Sequence, residues 1–429
     1  MYTFRESTFI STNPKSLNGE PFLAFLCCVA GLVLAVLAPD VFAKENSLDK
    51  NNSKTTARLI ELRKSYRERI WPRGDHDFFR LRLPSAGLLR VRHAGLAKNL
   101  ASAIKLHDEE GTLKRWENGE RGKTQVVACP IKYPGTYWIE VADSKDSNYS
   151  KKEYTLEVDF QAVIDEHEHN DESSYATMIE LPRTLQGYLF PPRDQDYYRF
   201  FLPEAGCLRL ILTGIDAKAG SAFMVLGEGG LKVTGQGSSF QGHRAGGWVL
   251  DRKLGYQKRL LNINHRGVYT LVLKHIKRKI SLLPYRLRLE FYPKTMDSYE
   301  ANDSVDTAKR IYPGERIRAY ILPAQDRDFY RVYLRGHGRL IVRQHGLRGN
   351  LASAINIVDP SNQVSLCGGW QNAPRGVKEQ QVEAEIDGWG DYLIQIGDPQ
   401  SRFASIDHYE LEVIFLSKQR YAPWLPKIQ

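Results

Sequence analysis

The sequence predicts an all-β protein, made of three tandem antiparallel β-sandwich domains that follow an N-terminal signal or anchor segment. Three observations lead to this prediction. An acidic–aromatic–basic phrase occurs three times, each copy is followed by Gly-x-Tyr and a tyrosine-led segment, and the apolar residues between them alternate with a period of two. The chain of 429 residues is too long for one ordinary core, and its length fits roughly three domains.

The N-terminal residues have the plan of a secretory signal. A polar leader with Arg5 and Lys15 precedes an uncharged apolar run at residues 22–38, and the small residue Ala43 follows. The run of 17 residues is shorter than the roughly 20 that span a membrane comfortably. We therefore expect a signal peptide over residues 1–43 and a secreted or periplasmic protein. An uncleaved membrane anchor at residues 22–38 is the alternative.

The repeated phrase reads DHDFFRLRL from Asp75, DQDYYRFFL from Asp194 and DRDFYRVYL from Asp326. A second acidic motif begins 26 residues ahead of each copy, and a proline stands three residues ahead. Such constant spacing predicts three copies of one domain. We name them repeats one, two and three, and their predicted bounds are 49–160, 165–292 and 297–416, with a tail at 417–429.

Repeat three shows the strand pattern most clearly. Period-two alternation appears in RIRAYI, FYRVYL, RLIVRQ, AINIVD, QVEAEI, YLIQI and YELEVIF, with Gly, Pro, Asn and Asp between them. In its opening phrase Tyr330, Val332 and Leu334 are expected to face the core, while Arg331 and Tyr333 face solvent. The pattern predicts seven or eight short strands in a two-layer sandwich.

Composition limits the classes of function. The net charge of +10 and pI of about 9.2 are compatible with an anionic partner, but Lys and Arg are spread over every repeat, with one compact run at residues 277–279. We therefore expect a solvated basic surface and no nucleic acid. Beyond the signal only Cys129, Cys207 and Cys367 remain, at non-equivalent positions. They predict no disulfide framework, and each is expected to be a small buried apolar residue.

The order of these motifs resembles a known family. Each repeat has E-x-N-D or a variant of it, then P-x-x-D-x-D-x-aromatic, Gly-x-Tyr and a final Y-x-L-x-V or a close form. This order is similar to the bacterial pre-peptidase C-terminal domain, which is related to the collagen-binding domains of clostridial collagenases. The resemblance implies jelly-roll-like sandwiches and covers nearly the whole chain after the signal. Repeat three fits best, and repeat one departs from the first motif at Asn52.

The resemblance also implies calcium as a structural cofactor, because the acidic motifs of the collagenase relatives bind it. Calcium takes six to eight oxygen ligands from carboxylates, amides and carbonyls. The alternative interpretation is that these residues form turns and caps, with Asp328 bonded to loop amides. Repeat one offers the weaker set Asp49, Asn51 and Asp75, and Ser298 stands where repeat three would have a further Glu. The implied ligands in repeats two and three are Glu166, Glu168, Asn170, Asp171, Asp194, Glu300, Asn302, Asp303 and Asp326.

The sequence gives little support for a catalytic site or for a zinc or copper site. His167 and His169 flank Glu168, and their spacing on an extended segment allows a zinc or copper site, but exposed histidines are the stronger expectation. The sequence has no H-E-x-x-H and no G-x-S-x-G. The string GERGKT from Gly119 lacks the first glycine of a phosphate loop, because Glu117 stands there, and is expected to be a turn. We predict no enzyme. A hydrolase would require Ser, His and an acid to meet in one cleft.

A binding role is the remaining prediction. Trp116, Trp248 and Trp370 lie between the middle strands and Gly-x-Tyr, in a loop-rich part of each repeat, where they could contact a partner or cover the core. The predicted contact residues are Trp248, Trp370, Arg244 and Arg375. We expect an exported, monomeric, non-catalytic binding or spacer protein that recognises an extracellular or envelope protein or polysaccharide. A carbohydrate-binding or adhesion protein, and an accessory subunit of a separate secreted peptidase, are the alternatives.

Overall fold

The computed structural model of the chain describes residues 50–230, 232–233, 249–251, 255–347, 352–361, 363–374, 376–398 and 404–418. The predicted signal or anchor segment therefore lies outside the described residues. Within them the chain consists of β-strands, turns and three one-turn 3-10 segments, with no α-helix. No helix of this part is long and apolar enough to cross a bilayer. The predicted all-β fold class is confirmed.

The strands follow the three repeats. Repeat one contains β1 Arg58–Leu59, β2 Ser65–Glu68, β3 His76–Leu83, β4 Gly87–Ala94, β5 Ala101–His107, β6 Leu113–Arg121, β7 Gln125–Ile131, β8 Gly135–Asp143 and β9 Tyr154–Ala162. Repeat two contains β10 Thr177–Met178, β11 Arg183–Gly187, β12 Gln195–Leu202, β13 Gly206–Thr213, β14 Ser221–Leu226, β15 Val249–Asp251, β16 Gln257–Ile263, β17 Gly267–His275 and β18 Tyr285–Pro293. Repeat three contains β19 Lys309–Ile311, β20 Arg316–Ala319, β21 Arg327–Leu334, β22 His337–His345, β23 Ala354–Asp359, β24 Val364–Ser365, β25 Gln371–Asn372, β26 Glu379–Asp387, β27 Gly390–Gly397 and β28 Tyr409–Ser417.

Each repeat forms one larger and one smaller sheet. The larger sheets have the strand orders β1-β3-β8-β5-β6, β10-β12-β17-β14-β15 and β19-β21-β27-β23-β24, with β25 also paired to β23. The smaller sheets have the orders β2-β9-β4-β7, β11-β18-β13-β16 and β20-β28-β22-β26. Neighbours are antiparallel except at one edge of each larger sheet, where β1, β10 and β19 run parallel to their partners. These edge strands have two or three residues, too few for a period-two signal in the sequence.

Each pair of sheets encloses its own hydrophobic core. The inward positions expected from alternation are confirmed: Tyr330, Val332 and Leu334 are buried, while Tyr333 is 41% exposed. The equivalent side chains of repeats one and two are buried as well: Phe79, Leu81, Leu83, Tyr198, Phe200 and Leu202. The strands predicted in repeat three all occur. The exact bounds of the three repeats stay a prediction.

Repeats two and three also share a small apolar contact. Cys207 and Leu322 belong to one buried cluster, and the Ala324 amide donates to Asn262 Oδ1 at 3.1 Å. None of Cys129, Cys207 and Cys367 forms a disulfide within the part of the chain that the structure describes. Cys129 and Cys207 are buried, whereas Cys367 is only half-buried because it lies in the turn that follows β24.

Candidate functional site

The second aspartate of each D-x-D phrase points into the core. Asp77, Asp196 and Asp328 have 0% exposure. Each accepts a hydrogen bond from the tyrosine that opens the last strand of its repeat. The pairs are Tyr154–Asp77 at 2.5 Å, Tyr285–Asp196 at 2.6 Å and Tyr409–Asp328 at 2.5 Å. The expectation that Asp328 bonds loop amides is therefore wrong, because alternation turns this residue inward, towards a hydroxyl of the facing sheet.

The first aspartate of each phrase closes the preceding loop. Asp326 Oδ2 accepts the Leu322 amide at 2.8 Å, and Asp194 Oδ2 accepts the Phe190 amide at 2.8 Å. In repeat one Asp75 Oδ2 accepts the Trp71 amide, also at 2.8 Å. All three aspartates are buried. The loop-closing role that was expected of Asp328 thus belongs to Asp326.

In repeat two the folded chain brings four carboxylates together. Glu168 lies in one group with Asp194 and Asp196, and in a second group with His169 and Asp171; within each group the nearest ligand atoms lie within 4.8 Å of one another. Glu168 and Asp171 come from the segment that enters the repeat, while Asp194 and Asp196 come from the start of β12. The fold thus brings together residues separated by more than twenty positions in the sequence.

Burial makes this concentration of negative charge unfavourable. Burial, with the neighbouring charge of Asp196 and a hydrogen bond to Asp171, raises the pKa of Asp194 well above its ordinary value. Burial and the charges of Asp171 and Asp165 raise the pKa of Glu168. Asp171 is itself partly desolvated, but its bonds to Asp194 and Lys132 hold its pKa below the ordinary value. Burial and the neighbouring negative charges therefore favour the protonated forms of Asp194 and Glu168.

Two buried asparagines stand within the acidic motifs. Asn170 and Asn302 are 1% and 0% exposed, and neither atom of either amide has a hydrogen-bond partner of acceptable geometry. Asn170 lies close to the Tyr198 hydroxyl, and Asn302 lies close to the Tyr330 hydroxyl. Each amide lowers the pKa of its tyrosine, but burial has the larger effect and raises that pKa. An amide oxygen of this kind suits a calcium ligand, because an unsatisfied buried polar group is costly.

Two residues of repeat one contact the acidic group of repeat two. The ammonium of Lys132, in the turn after β7, lies 3.0 Å from Asp171 Oδ2. The neighbouring Tyr133 ring lies 5.8 Å from that of His169. Asp171 is therefore partly neutralised by the preceding repeat.

In repeat three a lysine lies among the predicted ligands. Lys294 Nζ is 2.5 Å from Asp303 Oδ1, 3.0 Å from Asp326 Oδ1 and 3.3 Å from Glu300 Oε1. Burial disfavours its charge, but Asp326, Asp303 and Glu300 together raise the pKa of this ammonium. Lys294 follows β18 directly, and its own amide donates to the Ala205 carbonyl of repeat two. The side chain thus supplies one positive charge to three carboxylates across the junction.

Repeat one has a reduced version of the site. Asn51 and Asp75 are buried, and the nitrogen of the Asn51 amide has no hydrogen-bond partner. Asp49, the remaining predicted ligand, lies outside the described residues. Asn52 stands where repeat two has Asp171, so this repeat carries fewer carboxylates at the equivalent place.

Some predicted positions stay apart from the acidic groups. Glu166 and Ser298 are exposed and belong to none of them. The histidines face different surroundings: His169 is exposed, whereas His167 packs edge-on against Tyr198 with ring centroids 5.6 Å apart. The expectation of two exposed histidines therefore holds for His169 alone, because His167 is half-buried.

The predicted contact surface is only partly described. Trp248, Arg244 and Arg375 lie outside the described residues. Trp370 is half-buried, and the Arg327 guanidinium lies 5.9 Å from its ring centroid. Trp116 is 57% exposed, but it lies on β6 rather than in a loop. Trp389, in the turn before β27, is 70% exposed and was not predicted as a contact residue.

A scan against family models and a search of curated proteins give no match. Among solved structures, the pre-peptidase C-terminal domain of a Bacillus anthracis collagenase is 16% identical with a TM-score of 0.21, over 24% of this chain and 93% of that chain. A structure of Sulfolobus turreted icosahedral virus is 9% identical with a TM-score of 0.17, over 82% and 89%. A triple jelly roll of an archaeal virus is 11% identical with a TM-score of 0.18, over 89% and 100%. The all-β fold fits the first of these.

Proposed function

We propose that this chain is an exported, non-catalytic binding protein, built of sandwiches that resemble the pre-peptidase C-terminal domain and stabilised by calcium in repeat two. The observation that carries the proposal is the meeting of Glu168, Asp171 and Asp194 around the start of β12, beside the buried amide of Asn170. The acidic phrase that the chain repeats three times serves loop closure and core hydrogen bonds. Its recurrence thus has a structural reason that involves no reaction.

Calcium suits the residues of repeat two by charge and by donor type. Carboxylate and amide oxygens are its preferred ligands, and a divalent cation would replace the proton that the crowded carboxylates otherwise hold. Glu168, Asn170 and Asp171 would fasten the incoming segment, and Asp194 would fix it to the first core strand. The role of the ion would be structural. In repeat three Lys294 already supplies positive charge, so we propose one calcium site for the described chain.

The partner would be a protein or polysaccharide surface outside the cytoplasm. Trp116 and Trp389 offer exposed indole rings that could stack on a sugar ring or a peptide chain, and two weak contacts on one chain raise the avidity for a polymer. Binding of a polysaccharide that depends on these rings would favour the carbohydrate-binding alternative. Co-purification of a peptidase would favour the accessory subunit.

The metal site is tested by calorimetric titration of the full chain with calcium, together with thermal melting in chelator. We expect about one equivalent to bind and the melting temperature to rise, because a ligand that binds only the folded state stabilises it. Glu168→Gln with Asp171→Asn should abolish the heat of binding. The matched pair Glu300→Gln with Asp303→Asn should leave it unchanged. Saturating calcium that gives neither heat nor a melting shift would remove the site.

The binding role is tested separately by sedimentation with insoluble polysaccharides and with fibrous protein. Trp116→Ala with Trp389→Ala is compared with the parent chain, because both indoles are exposed and their loss should leave the melting temperature unchanged. We expect the parent chain to sediment with the insoluble target and the variant to stay in the supernatant. Parent and variant that sediment equally would show that these rings are not the contact.

A further inference from the structure

The positive charge of the chain is concentrated in the second half of repeat two. Residues 206–292 contain 15 Lys and Arg but only four Asp and Glu, a net charge of +11, whereas the whole chain carries +10. Basic residues are spread over every repeat. Acidic residues are not, and their scarcity in this half gives it a net positive charge.

Three loops of this half meet at one end of the sandwich. A Cβ on Gly255 would lie 2.4 Å from the Ile215 carbonyl oxygen, and one on Gly214 would lie 2.5 Å from that of Pro284. The Lys277 amide donates to the Ala219 carbonyl at 3.0 Å. Residues 214–220, 255–256 and 276–284 therefore form one continuous surface, which we call the tip of repeat two.

The tip presents cations and apolar groups side by side. Lys218, Lys277, Arg278 and Lys279 are exposed. Tyr256, Ile280 and Leu283 are exposed by 46%, 37% and 58%. Asp216 is the one acid of these loops, and its Oδ1 accepts the amide of Lys218 at 2.8 Å.

The four cations of the tip have no counter-ion among the described residues. Glu290 pairs with Arg209 and Arg288, and no ion pair found among the described residues involves any of the four. The tip therefore offers four exposed charges to a partner.

The outer face of the smaller sheet extends this charge. One and three residues after the tyrosine that opens the last strand, repeat three has Glu410 and Glu412, which pair with Arg318 and Arg316. Repeat two has Arg286 and Arg288 at the same two places. In repeat two Glu290 is shared by Arg209 and Arg288, so this face keeps a net positive charge, whereas in repeat three the two glutamates balance two arginines. This difference within one chain argues against a general need for basic residues on this face.

We propose that the tip of repeat two binds the surface of an anionic lipid bilayer. Cations next to exposed aliphatic and aromatic side chains suit an interface in which headgroup phosphates meet acyl chains. A dissolved polyanion would engage Lys277, Arg278 and Lys279 but would leave Ile280 and Leu283 in water. This contact goes beyond the proposed binding function, which assigns no membrane role to the repeats.

The test is co-sedimentation of the full chain with vesicles of phosphatidylcholine and phosphatidylglycerol, compared with phosphatidylcholine alone. All variants share residues 22–38, so differences between them report the tip. Each basic residue near an anionic leaflet contributes about fivefold to binding. Lys277→Glu, Arg278→Glu and Lys279→Glu together should weaken binding to the mixed vesicles at least tenfold. Lys98→Glu, Arg121→Glu and Lys123→Glu make the same charge change on exposed residues of repeat one and should retain most of the binding.

A second variant separates lipid from other polyanions. Ile280→Ser with Leu283→Ser keeps every charge, and both side chains are exposed, so the fold should be unaffected. We expect it to lose severalfold in vesicle binding and to keep any binding of a soluble acidic polysaccharide or of DNA. Equal vesicle binding by this variant and the parent would overturn the proposal. Binding of the polysaccharide or of DNA with no preference for the mixed vesicles would assign the tip to a soluble polyanion instead.

Discussion

The Tyr285 hydroxyl donates a hydrogen bond to Asp196 Oδ2 at 2.6 Å and thereby joins the two sheets of repeat two through their shared core. Tyr285 opens β18 in the smaller sheet, and Asp196 lies on β12 in the larger one. Burial raises the pKa of Asp196, with the Tyr285 bond acting in the opposite direction. Because the same pair recurs in all three repeats, it explains why the D-x-D phrase and the final tyrosine accompany each other.

Tyr285→Phe should lower the free energy of unfolding by about 1–3 kcal/mol, because it leaves a buried carboxyl oxygen without its donor. Tyr175→Phe is the matched control, since this tyrosine is 68% exposed and its change should have no effect. The measurement is denaturant unfolding followed by tyrosine and tryptophan fluorescence. Equal stability of Tyr285→Phe and the control would show that the bond is dispensable.

The pKa of Asp194 predicts how stability depends on pH in the absence of calcium. Burial raises this pKa, so the folded state binds a proton that the unfolded chain releases above about pH 4. The resulting stability is fully present below that pH and is lost as the pH rises towards the folded pKa of about 10. Melting in chelator should therefore occur at a lower temperature at pH 8 than at pH 5, and Asp194→Asn should flatten this decline. A decline that is unchanged in Asp194→Asn would assign it to other groups.

In repeat one, His93 should make stability depend on pH in the opposite direction. Burial lowers the pKa of His93 to about 3, and its Nδ1 lies 2.6 Å from the Ser102 hydroxyl. The folded state keeps this imidazole neutral, so stability is present above about pH 6.5 and is lost as the pH falls towards 3. The loss at pH 4 should be about 3 kcal/mol.

Repeat three supplies the matched replacement for His93. Gln344 accepts a hydrogen bond from Ser353 at 2.8 Å at the equivalent place, so His93→Gln should keep the contact and remove the acid sensitivity. The acid sensitivity is measured by calorimetric melting at pH 4 and pH 7. If His93→Gln loses as much stability at pH 4 as the parent chain, the imidazole is not the cause.

Alternation in the sequence was sufficient to predict which residues of β12 and β21 face the core, because the inward face of these strands is fully buried and the outward face is largely exposed or half-buried, with Phe329 the buried residue on it in β21. The same rule fails for β6. All of its side chains are exposed or half-buried, so the strand has no apolar period, and Trp116 was expected in a loop. An edge strand that is solvated on both faces can be recognised only from its partner.

Three of the four carboxylates that meet in repeat two, Glu168, Asp171 and Asp194, are among the ligands that the resemblance implies, because the acidic motif and the D-x-D phrase keep a constant spacing in each repeat. Asp196 was not expected there, and Glu166 stays outside the group. Lys294 could not be predicted in this way. It belongs to the end of repeat two and contacts the carboxylates of repeat three, so comparison of equivalent positions does not reveal it. Only the geometry of the junction brings this ammonium to Asp326.

Replacement of Lys294, the cation among the carboxylates of repeat three, should destabilise the chain in the absence of calcium. Lys294→Met removes the ammonium from Glu300, Asp303 and Asp326 while it keeps an unbranched apolar stem. The three carboxylates are then left without a counter-charge, and loss of one partner from a largely buried ion pair costs about 3 kcal/mol. In chelator the variant should therefore melt earlier than the parent chain.

Calcium should restore the stability of Lys294→Met, because the remaining carboxylates and the buried Asn302 amide offer the same donor types as repeat two. Titration should show one equivalent more than in the parent chain. Lys418→Met is the matched control: it breaks the exposed pair with Glu385, which at 2.7 Å contributes less than about 1 kcal/mol, and it should add no calcium site. If Lys294→Met binds the same number of calcium ions as the parent, the ammonium does not stand in for a metal, and its role is confined to joining repeats two and three.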